Sequence, residues 1–512
     1  ISLYQANWPV TLPSYLEGSP VIFDLDDDSE YEIIIGSFDD SLHVLELNGS
    51  VCPGWPVGLG GDVHRAAAVG DIDGDQAVEV VAVTRTGSLY AFESNGSLIP
   101  NFPVTLDGLS YCAPSLADFD HDDDMEIVVT TLPGSVYLVD GDGSILAGWP
   151  QTVAPGFYSS AAVGDFDGDG DNEIVCGALN CTVYAFESNG SYCSGSWPVT
   201  LDDKIYSSPA IGDVDADGGY EVAVATEGGS VYLLESNGDV AFGPVAAGAG
   251  KIQSHMTIAN LDDTPQLEII VGSKDDSVYV FNYDGSVYPG WPQDADGWTT
   301  CNPAVCDLDG DGVQDVITVT HKGVICAWNK DGELLPLMPI DLDGMTINSS
   351  PAIFDMDRDG DMEIVLALRQ NTDNVAVVDY KLYTSMWGFE WVSFGHDERH
   401  THDYGQNYTP TADGSGHKLP SEFSLAQNYP NPFNPTTTIS FALPVQSQVR
   451  LKLFNLLGQE VVTLVDGRLP AGYHQIDWKG ENSSGAIVSS GIYFYRLEAS
   501  EFTQTRGMLL LR

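Results

Sequence analysis

The stretch Asp165-Phe166-Asp167-Gly168-Asp169-Gly170-Asp171-Asn172-Glu173 decides how this chain is read. Carboxylates stand at positions 1, 3, 5 and 9, with glycines at positions 4 and 6. A tight loop turns every second side chain inward, so these acids converge, and the last one closes the cage. That all-oxygen donor set is what a hard cation such as Ca²⁺ requires.

The stretch returns along the chain. Its relatives start at Asp24, Asp71, Asp118, Asp213, Asn260, Asp307 and Asp355, at intervals of 47 or 48 residues. A fixed period in this range, filled with short apolar runs, signals a β-propeller with one repeat per blade. Each repeat reads in the same order. A strand of small residues (208–212) leads into the acidic loop, and a second strand (221–225) follows. A Gly-rich turn precedes a third strand (230–234), and an Asn-Gly turn such as Asn237-Gly238 marks a hairpin. The fourth strand carries Trp-Pro or Phe-Pro, as at Trp55-Pro56, Phe102-Pro103 and Trp197-Pro198. Proline lacks an N–H, so it belongs on an outer edge. The expected fold is all-β: an eight-bladed propeller of four-stranded blades over 1–404. Trp8-Pro9-Val10-Thr11-Leu12 resembles a fourth strand placed ahead of the first repeat. Residues 1–12 are therefore expected to close the last blade, with 391–394 as the other candidate.

The loops differ in completeness. Full ligand sets stand at Asp118/Asp120/Asp122/Glu126, Asp165/Asp167/Asp169/Glu173, Asp213/Asp215/Asp217/Glu221, Asp307/Asp309/Asp311/Asp315 and Asp355/Asp357/Asp359/Glu363. Asp24/Asp26/Asp28/Glu32 and Asp71/Asp73/Asp75/Glu79 keep their acids without a glycine at position 6. The sixth loop is degraded to Asn260, Asp262, Thr264 and Glu268, a weak metal set. About seven Ca²⁺ sites and one degraded eighth are expected. Position 7 should offer only its carbonyl, since Ala77, Gly219 and Val313 stand there.

Charge supports a scaffold role for these acids. The chain has 19 Lys and Arg against 75 Asp and Glu, for a net charge of −56. Such a surface repels nucleic acid and anionic membranes. No apolar run is long enough for a transmembrane helix, which needs about 20 residues. Close carboxylates repel by about 4 kcal/mol per pair at an effective dielectric near 20, so chelation should loosen the loops. The eight cysteines fall in repeat register. Cys112 and Cys301 share one repeat position and Cys52 and Cys193 another, too far apart round a ring to pair. Most are expected to be buried free thiols, with a local Cys176–Cys181 link as the exception.

Because the acids recur in every blade, they do not mark a catalytic centre. A working site should break the repeat. Seven residues before each loop the occupants vary: Glu17, His64, Tyr111, Tyr158, Tyr206, Gln253, Thr300 and Asn348. They should ring one mouth of the channel, where His64, Tyr111, Tyr158 and Tyr206 form a candidate rim for glycan or peptide. A His396, His400 and His402 cluster, with Asp397 and Asp403 beside it, reads as a polar cap on the last blade, with a transition-metal site as the alternative.

Composition changes after residue 404. Residues 405–420 are polar and read as a linker, and 421–512 hold seven basic and seven acidic residues. Alternating runs over 436–443, 449–455, 461–465, 475–478, 492–498 and 507–511 predict about six strands and an Ig-like sandwich.

On these residues, 1–404 resembles the FG-GAP/VCBS-type calcium-binding propellers, whose blades carry Asp-x-Asp-x-Asp-Gly loops. The start of the tail, Phe423-Ser-Leu-Ala-Gln-Asn-Tyr-Pro-Asn-Pro-Phe-Asn-Pro, is similar to type IX secretion sorting domains, which are Ig-like and related to the flagellar hook-cap protein. This resemblance implies a protein exported after signal-peptide removal to the surface of a Gram-negative-type bacterium. The expected function is a calcium-stabilised adhesion or structural module. Its candidate partners are other copies of itself through the tail domain, or glycans and surface proteins. The alternative is a lectin, or a polysaccharide lyase or hydrolase, working at the channel mouth.

Overall fold

The computed structural model describes residues 4–26, 28, 30–122, 124–262, 264–342, 344–357, 362–370, 372, 374–380, 389–391, 423–425, 437–443, 447–455, 459–469, 472–480, 482, 487–488, 491–499 and 502–510. The chain divides into two compact units, Ile1–Tyr408 and Thr409–Arg512.

The first unit is a succession of antiparallel sheets whose strands pair in chain order. Blade one consists of Val21–Phe23, Glu32–Gly36, Ser41–Glu46 and Val57–Gly58. The same four-strand order recurs through Ala304–Cys306, Asp315–Val319, Val324–Asn329 and Ile340–Asp341 in the seventh sheet. The eighth has three strands of its own, Ala352–Phe354, Met362–Ala367 and Val375–Tyr380. Its outer edge is taken by the N-terminal segment. Val10 and Val375 exchange backbone hydrogen bonds of 2.9 and 3.0 Å, and Gln5 N–H donates to the Val377 carbonyl at 3.0 Å. Trp8, Leu12 and Leu16 share a buried core with Ile33, Val365 and Val377.

The ring is also stitched at its inner strands. Five residues before the acidic loop, at five of the eight junctions, a backbone N–H donates to the side chain in the same position of the next blade. Ala113 bonds to Ser160 Oγ, Ser160 to Ser208 Oγ, Ser208 to His255 Nδ1 and Asn302 to Ser350 Oγ, all within 2.8–3.0 Å. Ser350 N–H then donates to Ser19 Oγ at 2.9 Å, which joins the last blade to the first. Small inner-strand residues such as Ala66, Ala67 and Ala68 are fully buried, which allows this close approach.

The Trp-Pro signal has a second use. Each tryptophan precedes a fourth strand that is only two residues long in most blades, as at Val199–Thr200. Its indole N–H reaches across to a carbonyl at the end of the next blade's third strand. The bonds are Trp8 to Leu47, Trp55 to Ser94, Trp149 to Ser188, Trp197 to Ser236 and Trp291 to Lys330, at 2.7–3.0 Å. A buried indole needs such an acceptor.

Residues 389–391 (Phe389–Trp391) form a fifth strand on the free edge of the innermost strand Ala304–Cys306. Trp391, the first residue of the other closure candidate, thus lies on the inner edge of blade seven, and 392–394 fall outside the described residues. All eight cysteines are free, including Cys176 and Cys181.

The second unit has seven described strands in two sheets. Ser424–Leu425, Thr437–Leu443 and Gly472–Trp478 make one. Glu460–Leu469, Ser447–Asn455, Gly491–Ala499 and Phe502–Leu510 make the other. Alternate residues Ile439, Phe441, Leu443, Leu451, Leu453, Tyr495 and Leu497 fill the core between them. The two-residue strand Ser424–Leu425 is additional to the sequence reading, because its pairing depends on Ala442 and Phe441 far along the chain. The linker 405–420, the three histidines and Asp359 lie outside the described residues.

Candidate metal centres and the channel mouth

Each acidic loop joins the first strand of a blade to its second. The first strand ends at position 0 of the loop and the second starts at position 9, so the two strand ends hold the closing acid beside the opening one. In blade four, Asp165 Oδ1 accepts from Gly168 N–H at 2.8 Å and Oδ2 from Gly170 N–H at 3.1 Å. Asp167 accepts from Asp169 N–H and Asp169 from Asp171 N–H, at 3.2 and 3.0 Å. These side-chain turns wind the backbone round the carboxylates. The oxygens of Asp165, Asp167 and Asp169 lie within 4.8 Å of one another, as do those of Asp71, Asp73 and Asp75, and of Asp213, Asp215 and Asp217.

The winding needs left-handed backbone at positions 4 and 6. Gly168, Gly170, Gly310 and Gly312 have φ of 78°, 101°, 76° and 90°. In blade two position 6 is Gln76, at φ 73°. The missing glycine noted from sequence therefore does not change the loop path; it only loads strain on a residue with a Cβ.

The closing acid does two jobs. One of its oxygens accepts the N–H of loop position 2, and this holds in all eight blades. The pairs are Glu32–Leu25, Glu79–Ile72, Glu126–Phe119, Glu173–Phe166, Glu221–Val214, Glu268–Leu261, Asp315–Leu308 and Glu363–Met356, at 2.6–3.1 Å. In blades one and three the closing acid, Glu32 or Glu126, also belongs to the converging group of the loop. In Glu32, Glu79, Glu173 and Glu363 the other oxygen, Oε1, is buried and has no hydrogen-bond partner. A buried carboxylate oxygen without a donor is costly, and a cation would satisfy it.

Electrostatics agree. Burial, and then the neighbouring acids, push Glu32, Glu79, Glu126 and Glu173 up to about 8, Glu221 to about 7, Asp315 to about 8 and Glu363 to about 9. Burial raises Asp307 to about 6. Without a cation these cages hold protons. The donors are oxygens alone, so the residues fit a hard divalent cation better than a thiophilic metal.

In blades two, four and five the converging group is the three aspartates, without the closing Glu79, Glu173 or Glu221, and blades three and one bring together other acids than the sequence reading expects. In blade three the converging acids are Asp120, Asp122, Asp124 and Glu126. Position 7 thus brings a side chain, and a hydrogen bond with Asp122 raises Asp124 to about 7. Asp118 stays in the loop and accepts the His121 N–H at 2.6 Å. In blade one the group is Asp24, Asp26 and Glu32. Asp28 is exposed and accepts from Glu30 N–H at 2.8 Å. In blade seven the four expected ligands are not equivalent. Asp307 and Asp315 are buried and Asp309 is half-buried, whereas Asp311 is exposed at the loop tip. Asp311 Oδ1 accepts the Val313 N–H at 2.8 Å, the same turn that Asp169 makes with the Asp171 N–H in blade four. The Asp311 N–H donates to Asp309 Oδ1 at 3.2 Å, and the Asp311 charge helps to raise Asp307, Asp309 and Asp315. In blade eight, Asp355 and Asp357 flank Glu363 closely enough to raise it.

Blade six has replaced charge with hydrogen bonds. The Asn260 amide donates to the Thr264 carbonyl across the loop. Asp262 accepts from Thr264 N–H at 3.0 Å and from the Tyr288 hydroxyl at 3.3 Å. An amide N–H here does the bridging that a cation would do elsewhere.

The variable positions lie at the start of each inner strand, so they stand at the end of the propeller opposite the loops. His64, Tyr111, Tyr158 and Tyr206 are half-buried and touch in sequence. His64 meets Tyr111 edge-on at 5.6 Å, Tyr111 stacks on Tyr158 at 4.7 Å and 17°, and Tyr158 meets Tyr206 edge-on at 5.3 Å. Arg85 lies over Tyr111 at 5.4 Å and Arg65 over Tyr158 at 6.0 Å. Sequence spacing placed the aromatic ring, with Arg65 beside it in register; Arg85 was hidden, since it comes from a different turn.

Comparison with known proteins follows this geometry. Residues 71–129 and 307–366 match the FG-GAP-like repeat, and 157–180 match the FG-GAP repeat. The propeller carries FG-GAP repeats. Residues 429–501 match the FlgD Ig-like domain, which agrees with the two-sheet second unit. No curated protein matches the chain in a sequence search. Among solved structures, the FG-GAP chain is similar to the Vibrio cholerae biofilm matrix protein Bap1, with TM-score 0.57 and 14% identity over 78% of this chain and 96% of that one. It is also similar to Saccharomyces cerevisiae Sqt1, with TM-score 0.52 and 13% identity over 73% and 99%. The computationally designed Ika8 protein gives TM-score 0.51 and 14% identity over 73% and 100%. These identities speak to fold alone.

Proposed function

We propose that this chain is an exported adhesion or structural module whose propeller is stabilised by Ca²⁺ in about seven of its eight loops. The observation that carries the reading is the closing acid. One oxygen is committed to the backbone in every blade, and in four blades the other is buried without a donor. That pattern repeats round the ring and singles out no blade, as a scaffold does and a reaction centre does not.

The setting is supported in two ways. Millimolar free Ca²⁺ is found outside cells, and a biofilm matrix protein shares the fold. The FlgD Ig-like domain is the element that, in this reading, directs export and attachment at the bacterial surface. In its finer form the reading includes assembly of copies through that domain. Monomers by light scattering, in Ca²⁺ at high protein concentration, would sink that finer form.

The primary test is metal content and melting. Protein dialysed against Ca²⁺ and then against metal-free buffer should retain about seven ions per chain by elemental analysis. Excess EGTA should lower the melting temperature. A chain with no bound Ca²⁺ and an EGTA-insensitive melt would refute the proposal.

A further inference from the structure

The channel mouth holds an anomaly of charge. Residues 1–420 contain 12 basic residues and 68 acidic ones, so cations there should be captured by carboxylates. Several are: Lys251 pairs with Glu227, Lys322 with Asp296, Lys330 with Asp331 and Arg369 with Glu17, at 2.7–3.0 Å. Arg65 and Arg85 form no such pair among the described residues. They are held by tyrosine instead. Arg65 Nε donates to the Tyr111 carbonyl at 2.9 Å, and Arg85 Nε to the Tyr111 hydroxyl at 3.1 Å. Each guanidinium has five N–H donors in a fixed fork, and these bonds use one. The forks are left to an outside acceptor.

Around them the surface is aromatic. The stacked pair Tyr111 and Tyr158 and the adjoining Tyr206 line the start of three successive inner strands. Beside them His64 places Nδ1 3.4 Å from Glu17, and its Nε2 is buried without a partner. Flat rings offer a face for the C–H side of a pyranose, and planar guanidinium matches a carboxylate in two-point contact. A sugar bearing a carboxylate uses both features at once.

We infer that the mouth opposite the acidic loops is a binding site for an acidic glycan, with Arg65 and Arg85 clasping a uronate carboxylate and Tyr158 and Tyr206 supporting the sugar ring. This deepens the adhesive reading and rests on it. The net charge of residues 1–420 would repel such a polymer over the rest of the propeller, so the two arginines set where it docks there.

The test uses the full chain in Ca²⁺ and calorimetric titration with a short oligogalacturonate, its carboxyl-reduced counterpart and an oligoglutamate. The expected result is binding of the uronate alone. Arg85→Gln and Arg65→Gln should each weaken it at least about tenfold, the worth of a charged hydrogen bond, and Tyr158→Ala should do likewise. Lys330→Gln, on the opposite end of the blades, should leave it unchanged. Melting curves of all variants confirm folding. Equal binding of the reduced sugar or of oligoglutamate overturns the assignment, and so does uronate affinity unaffected by both arginine substitutions. A protein that melts earlier in EGTA yet binds no uronate overturns this site and leaves the calcium reading standing.

Discussion

Glu173→Gln should change the sign of its effect with the metal. In the folded chain burial raises Glu173 from 4.5 to about 8. At neutral pH the metal-free protein therefore holds a proton there that the unfolded chain has released. Each unit is about 1.4 kcal/mol, so this held proton costs at most about 3 kcal/mol near pH 7. Glutamine has no proton to hold, and its carbonyl can still accept the Phe166 N–H that Glu173 accepts at 3.1 Å. In EGTA the variant should be more stable than the parent, by up to that amount. In Ca²⁺ it loses a charged ligand. A site saturated a hundredfold above its dissociation constant contributes about 2.7 kcal/mol, and the variant forfeits most of it. Thermal melts followed by circular dichroism at neutral pH, in EGTA and in Ca²⁺, read both shifts, each a few degrees for a domain of this size. Shifts of the same sign in the two buffers would refute the account of the closing acid.

Three further outcomes are expected. In EGTA the parent should lose stability as pH rises from about 5 to 8: the folded closing acids are raised, so their contribution is full below the unfolded value near 4.5 and is lost through about 8. Ca²⁺ should abolish that trend, and a flat profile in EGTA would contradict it. Gln76→Gly relieves a left-handed residue with a Cβ at φ 73° and should stabilise the protein by about 1 kcal/mol in chemical unfolding, with the destabilisation expected of a flexible glycine as the contrary result. Trp197→Phe keeps most of the buried ring and removes the 2.8 Å bond to the Ser236 carbonyl, so it should cost about 1–3 kcal/mol; no loss would deny the indole its role between blades.

Much of the fold was legible because it is repeated. The acidic loop, the small-residue strand and the hairpin turn recur with one period, so a misreading in one blade is corrected by seven others. Closure by the N-terminus could be read from Trp8-Pro9 for the same reason. What escaped was whatever joins one repeat to another. The indole bonds span 39 residues and the serine stitches 47 or more, and nothing local in the sequence marks the acceptor. The loops were legible in donor type but not in selection. Asp124 and Asp28 bear the same side chain, yet the first joins the converging acids of its loop and the second does not. Blade six looked merely degraded, and only three dimensions reveal Asn260 and Tyr288 bridging its loop. At the mouth, spacing assembled the tyrosines, but Arg85 reaches them from a turn 26 residues before Tyr111.

The bond from Ser350 to Ser19, with Val10 against Val375, has a consequence for biogenesis. The first blade cannot find its last neighbour until the chain beyond residue 375 has emerged, whether from a ribosome or from a translocation pore. Until then both ends of the array present open strand edges, which is when such chains aggregate. Long-range closure of this kind is slow. The order of emergence therefore makes locking of the ring the final act of its folding. Once locked, the covalent ends carry little topological weight.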